Sequence, residues 1–193
     1  MKIKIKLFDG QIMPEIIDKG DWIDLRANKN VSIREPYVET VVSKDGKEKI
    51  KVKFDNAMIP LGVAMELPKG FEANVLPKSS TYKKSKTILT NSMGVIDGVT
   101  YSGTIGYNGD DDQWMYNAIG MGSVSIKKGQ PICQFRITLS QKATVWQKLR
   151  WLFSNKIELV QVDKLKNTNR GGFGSTDKQL EDIKNKQKKE DSK

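Results

Sequence analysis

The sequence predicts an all-β protein, built as a barrel or a folded β-sandwich, with one short inserted helix and a charged C-terminal tail. Three observations lead to this prediction. Short runs of β-prone residues recur between turn signals through most of the chain. Glycines interrupt the middle of the chain at short intervals, as in folds with many tight turns. Only residues 142–156 carry apolar side chains at helical spacing.

The first strand is predicted at the N-terminus, where MKIKIK alternates between lysine and apolar side chains. Its lysines suit an edge strand, because charged side chains hinder sheet-to-sheet aggregation. Asp45 and Gly46 form a hairpin-turn signal between two alternating runs. The further strands are predicted at 37–42, 50–54, 61–67, 73–76, 123–126 and 132–139.

The predicted helix, residues 142–156, is basic and amphipathic. Val145, Leu149 and Leu152 share one side, which Trp146 and Phe153 widen. Such a helix can lie on a membrane surface. We favour the commoner arrangement, in which its apolar side packs on the protein's own core or on a neighbouring subunit. Residues 177–193 consist mostly of Lys, Glu, Asp and Gln, and are predicted to be a solvated tail.

Composition restricts the chemistry. The 193 residues suit one domain, and the net charge of +10 favours a polyanion such as nucleic acid, an anionic membrane or a phosphorylated small molecule. The chain has no histidine and a single cysteine, which excludes a Ser-His-Asp triad, an HExxH zinc site and an intrachain disulfide. Acid–base work therefore falls to carboxylates, lysines or tyrosines, and a metal would be a hard cation held by oxygens. With no signal-peptide pattern and no apolar run of about 20 residues, we expect a cytoplasmic protein without membrane contact.

Two early segments could bind phosphate and metal. In GDWIDLRA (20–27), Asp24 lies at a predicted strand start, where it could hold Mg²⁺-bound water or be an ordinary turn aspartate. In PKSSTY (77–82), a short polar turn could direct backbone N–H groups and the Ser79 and Ser80 hydroxyls at phosphate oxygens, with Lys78 as a point charge. An ordinary loop is the alternative.

The third segment, NSMGVID (91–97), ends in Asp97, whose carboxylate could activate a water at the end of a strand. The Gly-rich stretch after it lets backbone approach a planar ligand closely. That stretch leads to YNGDDDQW (107–114). The acidic run Asp110, Asp111 and Asp112 could bind a metal, although a solvated turn is the interpretation we favour.

Two later segments add polar groups. KKGQPICQFR (127–136) places Gln134 in an otherwise apolar strand, where a buried amide needs a partner or a function. NRGGFGST (169–176) combines three glycines with Arg170, Phe173, Ser175 and Thr176. The guanidinium and hydroxyls suit phosphates, the phenyl ring suits stacking on a base, and the segment could move as a lid or serve as a linker.

Taken in order, these segments resemble the five motifs of the trimeric all-β dUTP pyrophosphatase (dUTPase) family, in the variant found in Gram-positive bacteria and their phages. The resemblance runs from about residue 20 to residue 176. It rests on GDWIDLRA at 20–27, PLGVAMELP at 60–68, SSTYK at 79–83, TNSMGVID at 90–97, GDDDQW at 109–114 and KKGQPICQFRI at 127–137.

The resemblance implies a distorted jelly-roll (β-clip) barrel in residues 1–166, a lid motif in 167–176 and a disordered tail in 177–193. It implies a homotrimer with active sites shared between subunits. It also implies Mg²⁺-assisted attack of water on the α-phosphate of dUTP, giving dUMP and pyrophosphate. Such a reaction keeps uracil out of DNA and supplies dUMP for thymidylate synthesis.

The resemblance also implies residue roles. Asp97 would position and polarise the attacking water and contact the sugar 3′-hydroxyl. Asp24 would help to order the Mg²⁺ site through water, and Gln134 would support the water or a phosphate. The implied substrate-binding residues are Lys78, Ser79 and Ser80 for phosphates, Asn91 for uracil, Arg170, Ser175 and Thr176 for the γ-phosphate end, and Phe173 over the base.

The chain departs from the family pattern in three places. Lys78 replaces the usual arginine and lacks its bidentate geometry. Arg170 directly precedes Gly171, a compact spacing of the Gram-positive variant. The tyrosine that stacks on the sugar and excludes ribose has two candidates. Tyr101 lies near the usual spacing, and Tyr107 lies in the Tyr-x-Gly-Asp context, as if residues 98–106 held an insertion. We favour Tyr107.

Three other functions remain as alternatives. The chain could be a regulatory or protein-binding module on this scaffold, with the extra segments 43–56 and 142–156 docking a protein partner. It could be related to dCTP deaminases, but these need a catalytic glutamate near the third motif, and none lies between residues 93 and 153. The charge could serve nucleic-acid binding, but no RNP, zinc-finger or helix-turn-helix signal is present, so no specific nucleic-acid partner is expected.

Overall fold

The computed structural model of the chain describes residues 1–16, 20–99, 105–153 and 156–171. These residues form strands joined by short connections and two short helices, which confirms the all-β prediction and the inserted helix. The elements are β1 (Lys2–Leu7), β2 (Ile23–Arg26), β3 (Val31–Ile33), β4 (Tyr37–Val42), β5 (Glu48–Lys53), β6 (Asn56–Pro60), β7 (Val63–Glu66), β8 (Phe71–Pro77), α1 (Thr81–Ser85), β9 (Thr87–Leu89), β10 (Gly94–Asp97), β11 (Met115–Gly120), β12 (Val124–Ile126), β13 (Pro131–Leu139), α2 (Val145–Phe153) and β14 (Glu158–Gln161).

Within the described residues, the strands pair in five sheets. Their orders are β14-β1-β7, β10-β8-β13-β2, β6-β11-β9, β12-β3 and β4-β5. Among the described strands, β1 and β14 pair in parallel, and the other pairs are antiparallel. No helix in the described part of the chain is long and apolar enough to cross a bilayer.

The alternation of β1 is confirmed, but its position is not. Ile3 and Ile5 are fully buried. The strand is not at an edge, since it lies between β14 and β7. Lys4 Nζ lies 3.1 Å from a Glu66 carboxylate oxygen, and Lys2 Nζ lies 3.8 Å from Glu158. The lysines therefore face acidic side chains of the two neighbouring strands, and edge protection is the wrong explanation for them.

The core is enclosed by the inner faces of these sheets. Strand β13 supplies Phe135 and Ile137, and β8 supplies Ala73 and Val75, all of them buried. The Phe135 ring meets the ring of Trp114 edge-on, with 5.2 Å between centroids. Each large apolar side chain buried in this way contributes about 1.5–3 kcal/mol. The core therefore fixes β8 and β13, the two central strands of the four-stranded sheet.

The predicted hairpin turn at residues 45–46 is confirmed. Strands β4 and β5 pair along their whole length, from Tyr37 with Lys53 to Val42 with Glu48. Gly46 has φ +77°, a conformation that glycine adopts without strain. Exposed side chains dominate both strands, because the hairpin stands away from the core.

The helix prediction is confirmed, but its apolar side does not pack on the chain's own core. No residue of α2 is buried, and Trp146 and Phe153 are 80% and 88% exposed. The contacts to the body come from another side of the helix. The ring of Trp151 lies 5.3 Å from Phe71, and Gln147 Nε2 donates to the Lys69 carbonyl at 2.7 Å. These two side chains fix the helix with its apolar stripe turned outward.

Candidate active site

The four-stranded sheet β10-β8-β13-β2 carries three of the predicted site residues, Asp24, Gln134 and Asp97, and Lys78 directly follows its strand β8. Across β8 and β10, Asp97 lies opposite Glu72. At the other end of β8, Pro77 lies opposite Cys133, and Gln134 lies opposite Asp24 of β2. The five residue steps from Glu72 to Pro77 separate the two ends by about 17 Å. Asp97 and Asp24 therefore belong to different half-sites.

The first half-site joins Asp24, Lys78 and Gln134. The Lys78 ammonium makes an ion pair with the Asp24 carboxylate, and both side chains are half-buried. The Gln134 amide lies beside Asp24 through the strand register, and its Nε2 donates a long hydrogen bond of 3.5 Å to the Pro77 carbonyl. A cation, a carboxylate and an amide thus meet where β8 leaves the sheet.

The side chain of Thr81 fixes the turn after Lys78 through two hydrogen bonds. The Thr81 hydroxyl accepts a hydrogen bond from the Lys78 N–H at 2.9 Å and donates one to the Ile132 carbonyl at 2.7 Å. Ser80 begins helix α1 without using its hydroxyl as a cap. The hydroxyl of Ser80 is therefore not consumed by the helix, and Ser79 lies in the same short turn, next to Lys78.

The second half-site joins Asp97, Tyr107 and Arg170. The Tyr107 N–H donates to the Asp97 carbonyl at 2.9 Å, so Tyr107 lies at the end of β10. Arg170 Nη1 donates to an Asp97 carboxylate oxygen at 2.5 Å. The guanidinium also lies over the Tyr107 ring, 4.4 Å from its centroid. Tyr107 therefore lies beside Asp97, whereas Tyr101 lies outside the described residues, and the preference for Tyr107 stays a prediction.

A cavity of about 580 Å³ opens beside this second half-site. One wall is the backbone of β10 at residues 94–96, and another is the segment 111–115. Asn91 and Tyr107 line it, together with the buried apolar residues Val75 and Leu89. A flat, partly polar ring would find apolar walls, amide groups and exposed backbone in this space.

The predicted turn is present in the acidic run and Asp111 is exposed, but Asp112 is buried and anchors the C-terminal segment, so for Asp112 the prediction of a solvated side chain is wrong. Asp112 is only 7% exposed. Its carboxylate accepts hydrogen bonds from the backbone N–H groups of Gly109 at 2.8 Å, Arg170 at 3.0 Å and Gly171 at 3.2 Å. Asp111 and Asn169 exchange a further pair of bonds, at 2.9 and 2.7 Å. These bonds bring Arg170 to Asp97, and nothing in the sequence signals a pairing across some 58 residues.

Two carboxyl groups near the site have shifted pKa values. The backbone N–H of Leu165 donates to Asp110, and with Lys6 nearby this holds the pKa of Asp110 below its usual range. Burial, followed by the charge of Asp97, raises the pKa of Glu72. Sequence reasoning missed Glu72, because only the strand register places it against Asp97.

Some predicted residues cannot be placed in this geometry. Phe173, Ser175 and Thr176 follow residue 171 and lie outside the described residues, as does the predicted tail at 177–193. The division at residue 166 and the lid at 167–176 stay predictions. Within the described part of the chain, no three acidic or cysteine side chains gather around a possible ion. Asp24 therefore offers one carboxylate, and any ion there would take its other ligands from substrate and water.

The chain is similar to known proteins in sequence and in fold. No protein-family model matches the chain. It is 42% identical over 177 residues to the SPbeta prophage-derived deoxyuridine 5'-triphosphate nucleotidohydrolase YosS of Bacillus subtilis, covering 91% of this chain and 98% of that protein. The fold is similar to a dUTPase from Streptococcus mutans, with TM-score 0.53, 18% identity, and 71% and 95% of the two chains covered. It is also similar to a variant dUTPase of phage phi11 of S. aureus that coordinates a structural Mg(II) ion, with TM-score 0.52, 15% identity, and 74% and 94% covered. At the identity and coverage shared with the B. subtilis protein, the chain belongs to the dUTPase family, the deoxyuridine 5′-triphosphate nucleotidohydrolases.

Proposed function

We propose that this chain hydrolyses dUTP to dUMP and pyrophosphate with Mg²⁺, in active sites that two or more subunits of a homotrimer assemble. The observation that carries the proposal is the separation of the two half-sites. One holds a carboxylate beside a base-sized cavity, and the other holds a cation and hydroxyls beside a second carboxylate. Family membership supports the reaction, and the geometry supports the assignment of base binding to one half-site and phosphate binding to the other.

The two half-sites of one chain are too far apart to act on one substrate. A general base must lie within about 3 Å of the water that it activates. That water attacks the same phosphate that the phosphate-binding residues hold. A separation of about 17 Å along β8 exceeds this reach several-fold. A second copy that brings its Lys78 end to the Asp97 end of the first removes the difficulty, and repetition around a threefold axis closes the ring.

The cavity half-site binds the base and the sugar. Asn91 and the backbone of β10 supply hydrogen-bonding groups for the uracil edge. Tyr107, which lies between the cavity and Asp97, stacks against the sugar and leaves no room for a ribose 2′-hydroxyl. A site built in this way rejects a substrate whose polar groups it cannot pair or whose extra atoms it cannot fit. This half-site therefore selects a deoxyuridine nucleotide.

The Lys78 half-site binds the triphosphate. Lys78 and the Ser79 and Ser80 hydroxyls contact phosphate oxygens, and Gln134 supports the phosphate or the water. Asp24 helps to hold Mg²⁺ through water, as expected for an ion that takes one or two carboxylates and completes its ligands with phosphates. When bound, Mg²⁺ neutralises the charge that develops on the phosphate oxygens. The phi11 protein's structural Mg(II) ion is consistent with Mg²⁺ in this fold.

Asp97 performs the proton chemistry. Its carboxylate accepts a proton from the water that attacks the α-phosphorus, and pyrophosphate leaves. Arg170 donates to the same carboxylate at 2.5 Å. We infer that Arg170 turns to the γ-phosphate when substrate arrives, with Ser175 and Thr176, while Phe173 covers the base. The Asp97 carboxylate is then available to the water.

A mixing experiment tests the shared site. Asp97→Asn and Lys78→Ala are each expected to be inactive as homotrimers. After the two variants are unfolded and refolded together in equal amounts, about a quarter of the sites join an intact Asp97 to an intact Lys78 from a neighbour. We expect pyrophosphate release from dUTP to return to about that fraction of the wild-type rate. A site contained in one chain gives no recovery.

Substrate choice is tested with dUTP, dCTP, dTTP and UTP. We expect turnover of dUTP alone, which serves the removal of dUTP from the nucleotide pool and the supply of dUMP. A substrate from the nucleotide pool supports a cytoplasmic location, in the host if the chain is phage-encoded. Hydrolysis of UTP would show that the loop before Tyr107 no longer excludes ribose. The absence of any turnover would leave a binding or regulatory role on this fold.

A further inference from the structure

The described part of the chain exposes an apolar face on the β4–β5 hairpin. Val38 lies opposite Val52, and Thr40 lies opposite Ile50, so these four side chains share one face of the ribbon. Val38 is 65% and Ile50 75% exposed. The lysines of β5, at positions 49, 51 and 53, lie on the opposite face. A two-stranded hairpin has only marginal stability in water by itself, so we expect another surface to pack on this apolar face.

A second apolar face lies on α2. Val145, Leu149 and Leu152 are spaced four and three residues apart on one stripe, and Trp146 and Phe153 lie beside them. All five are exposed. Lys148 and Arg150 flank the stripe on its two sides, and the helix contains no acidic residue. The stripe is about 14 Å long, and the hairpin strands are about 20 Å long, so the helix fits along the ribbon.

The two faces are attached beside different half-sites. Helix α2 is fixed to Lys69 and Phe71, beside the sheet end that carries Glu72 and Asp97. The hairpin base is attached to the other end. The Gly120 N–H donates to the Asp55 carbonyl, and the Met121 N–H donates to Lys86, which ends the helix that follows Lys78. One apolar face thus accompanies each half-site.

We propose that α2 of one subunit packs on the apolar face of the β4–β5 hairpin of the next subunit, once around the trimer. This rests on the shared active site proposed above and goes beyond it. The head-to-tail contact that joins the Asp97 end of one copy to the Lys78 end of the next brings the same two faces together. The hairpin presents its lysines to the other side, so the cationic flanks of the helix meet an apolar surface without like charges at its centre.

Cysteine trapping tests the contact in the full-length protein. The double variant Ile50→Cys, Leu152→Cys is oxidised and separated on a denaturing gel. The natural cysteine, Cys133, is fully buried and does not compete. Because each subunit both gives and receives the contact, we expect three chains joined covalently, and reduction releases them. The matched control replaces Ile50→Cys by Lys51→Cys, on the opposite face of the same strand, and should join none.

A single cysteine pair could fail to cross-link because of its geometry alone, so several pairs are tested. Val38→Cys and Val52→Cys are therefore each combined with Leu149→Cys and Leu152→Cys as well. A second measurement is independent of disulfide geometry. Ile50→Glu is expected to weaken subunit association about tenfold or more, because it buries a charge, and Leu152→Lys in the same chain is expected to restore it. Association is measured by sedimentation equilibrium.

Trimer size and dUTP turnover are recorded on the same samples. Trimers that hydrolyse dUTP but give no cross-link from any pair overturn the proposed contact and leave the shared site intact. Cross-links that stop at two chains also overturn it, because they indicate a twofold contact. Binding of active wild-type trimers to anionic phospholipid vesicles, lost in Trp146→Ser, overturns it too, since the helix would then be free. A monomer without turnover refutes the proposed function itself.

Discussion

Replacement of Asp112 by alanine tests whether the acidic turn anchors the C-terminal segment. The carboxylate accepts hydrogen bonds from three backbone N–H groups, those of Gly109, Arg170 and Gly171. A hydrogen bond to a charged group contributes about 1.5–3 kcal/mol. In the variant, residues 170 and 171 can detach from the body, and water then satisfies their N–H groups. The loss in unfolding free energy therefore corresponds to between one and two such hydrogen bonds. We expect Asp112→Ala to lower the free energy of unfolding by about 2–4 kcal/mol.

The assays are urea unfolding and limited trypsin digestion. Release of the segment should speed trypsin cleavage of the peptide bond after Arg170, because Asp112 holds both residues of that bond against the body. It should also lower kcat/KM for dUTP, because Arg170 is no longer held near the site, from where it turns to the γ-phosphate. Asp163→Ala is the matched control, since Asp163 is an exposed carboxylate shortly before the same segment. Unchanged stability together with unchanged trypsin cleavage in Asp112→Ala would refute the anchoring role.

Three further substitutions probe other parts of the argument. Asp97→Asn should lower kcat for dUTP by about 10²- to 10⁴-fold without loss of the trimer, and near-normal turnover would remove it as the base. Glu72→Gln should raise the melting temperature at neutral pH, because a raised carboxyl pKa means that ionisation of Glu72 destabilises the fold. That gain should shrink as the pH falls and Glu72 takes up its proton, and a pH-independent difference would contradict this cause. Gly62→Ala should lower the unfolding free energy by about 2–4 kcal/mol, because φ is +69° and a Cβ would lie 2.7 Å from Asn28 and 2.9 Å from Gln11. A denaturation midpoint close to that of the wild type would show that the loop can shift.

The local pattern of the sequence determined several of the strands and the family. Alternation in β1 and the turn at residues 45–46 depend on neighbours in the chain, so both could be predicted without a fold. The motifs around Asp24, Lys78 and Asp97 lie in short continuous segments, and their order identified the family. The helix at 145–153 was equally predictable, because helical spacing is a local property.

Tertiary structure decided which of these segments meet. The register of β8 with β10 and β13 places Asp97 and Lys78 at opposite ends of one sheet, which is why we propose that another subunit completes the active site. The carboxylate of Asp112 binds backbone N–H groups, which carry no signature in the sequence, and it was therefore mistaken for part of a solvated turn. The direction of the α2 apolar stripe was also beyond the sequence. Periodicity shows that a helix has an apolar side, but only the contacts of Trp151 and Gln147 show that this side is turned away from the chain's own core.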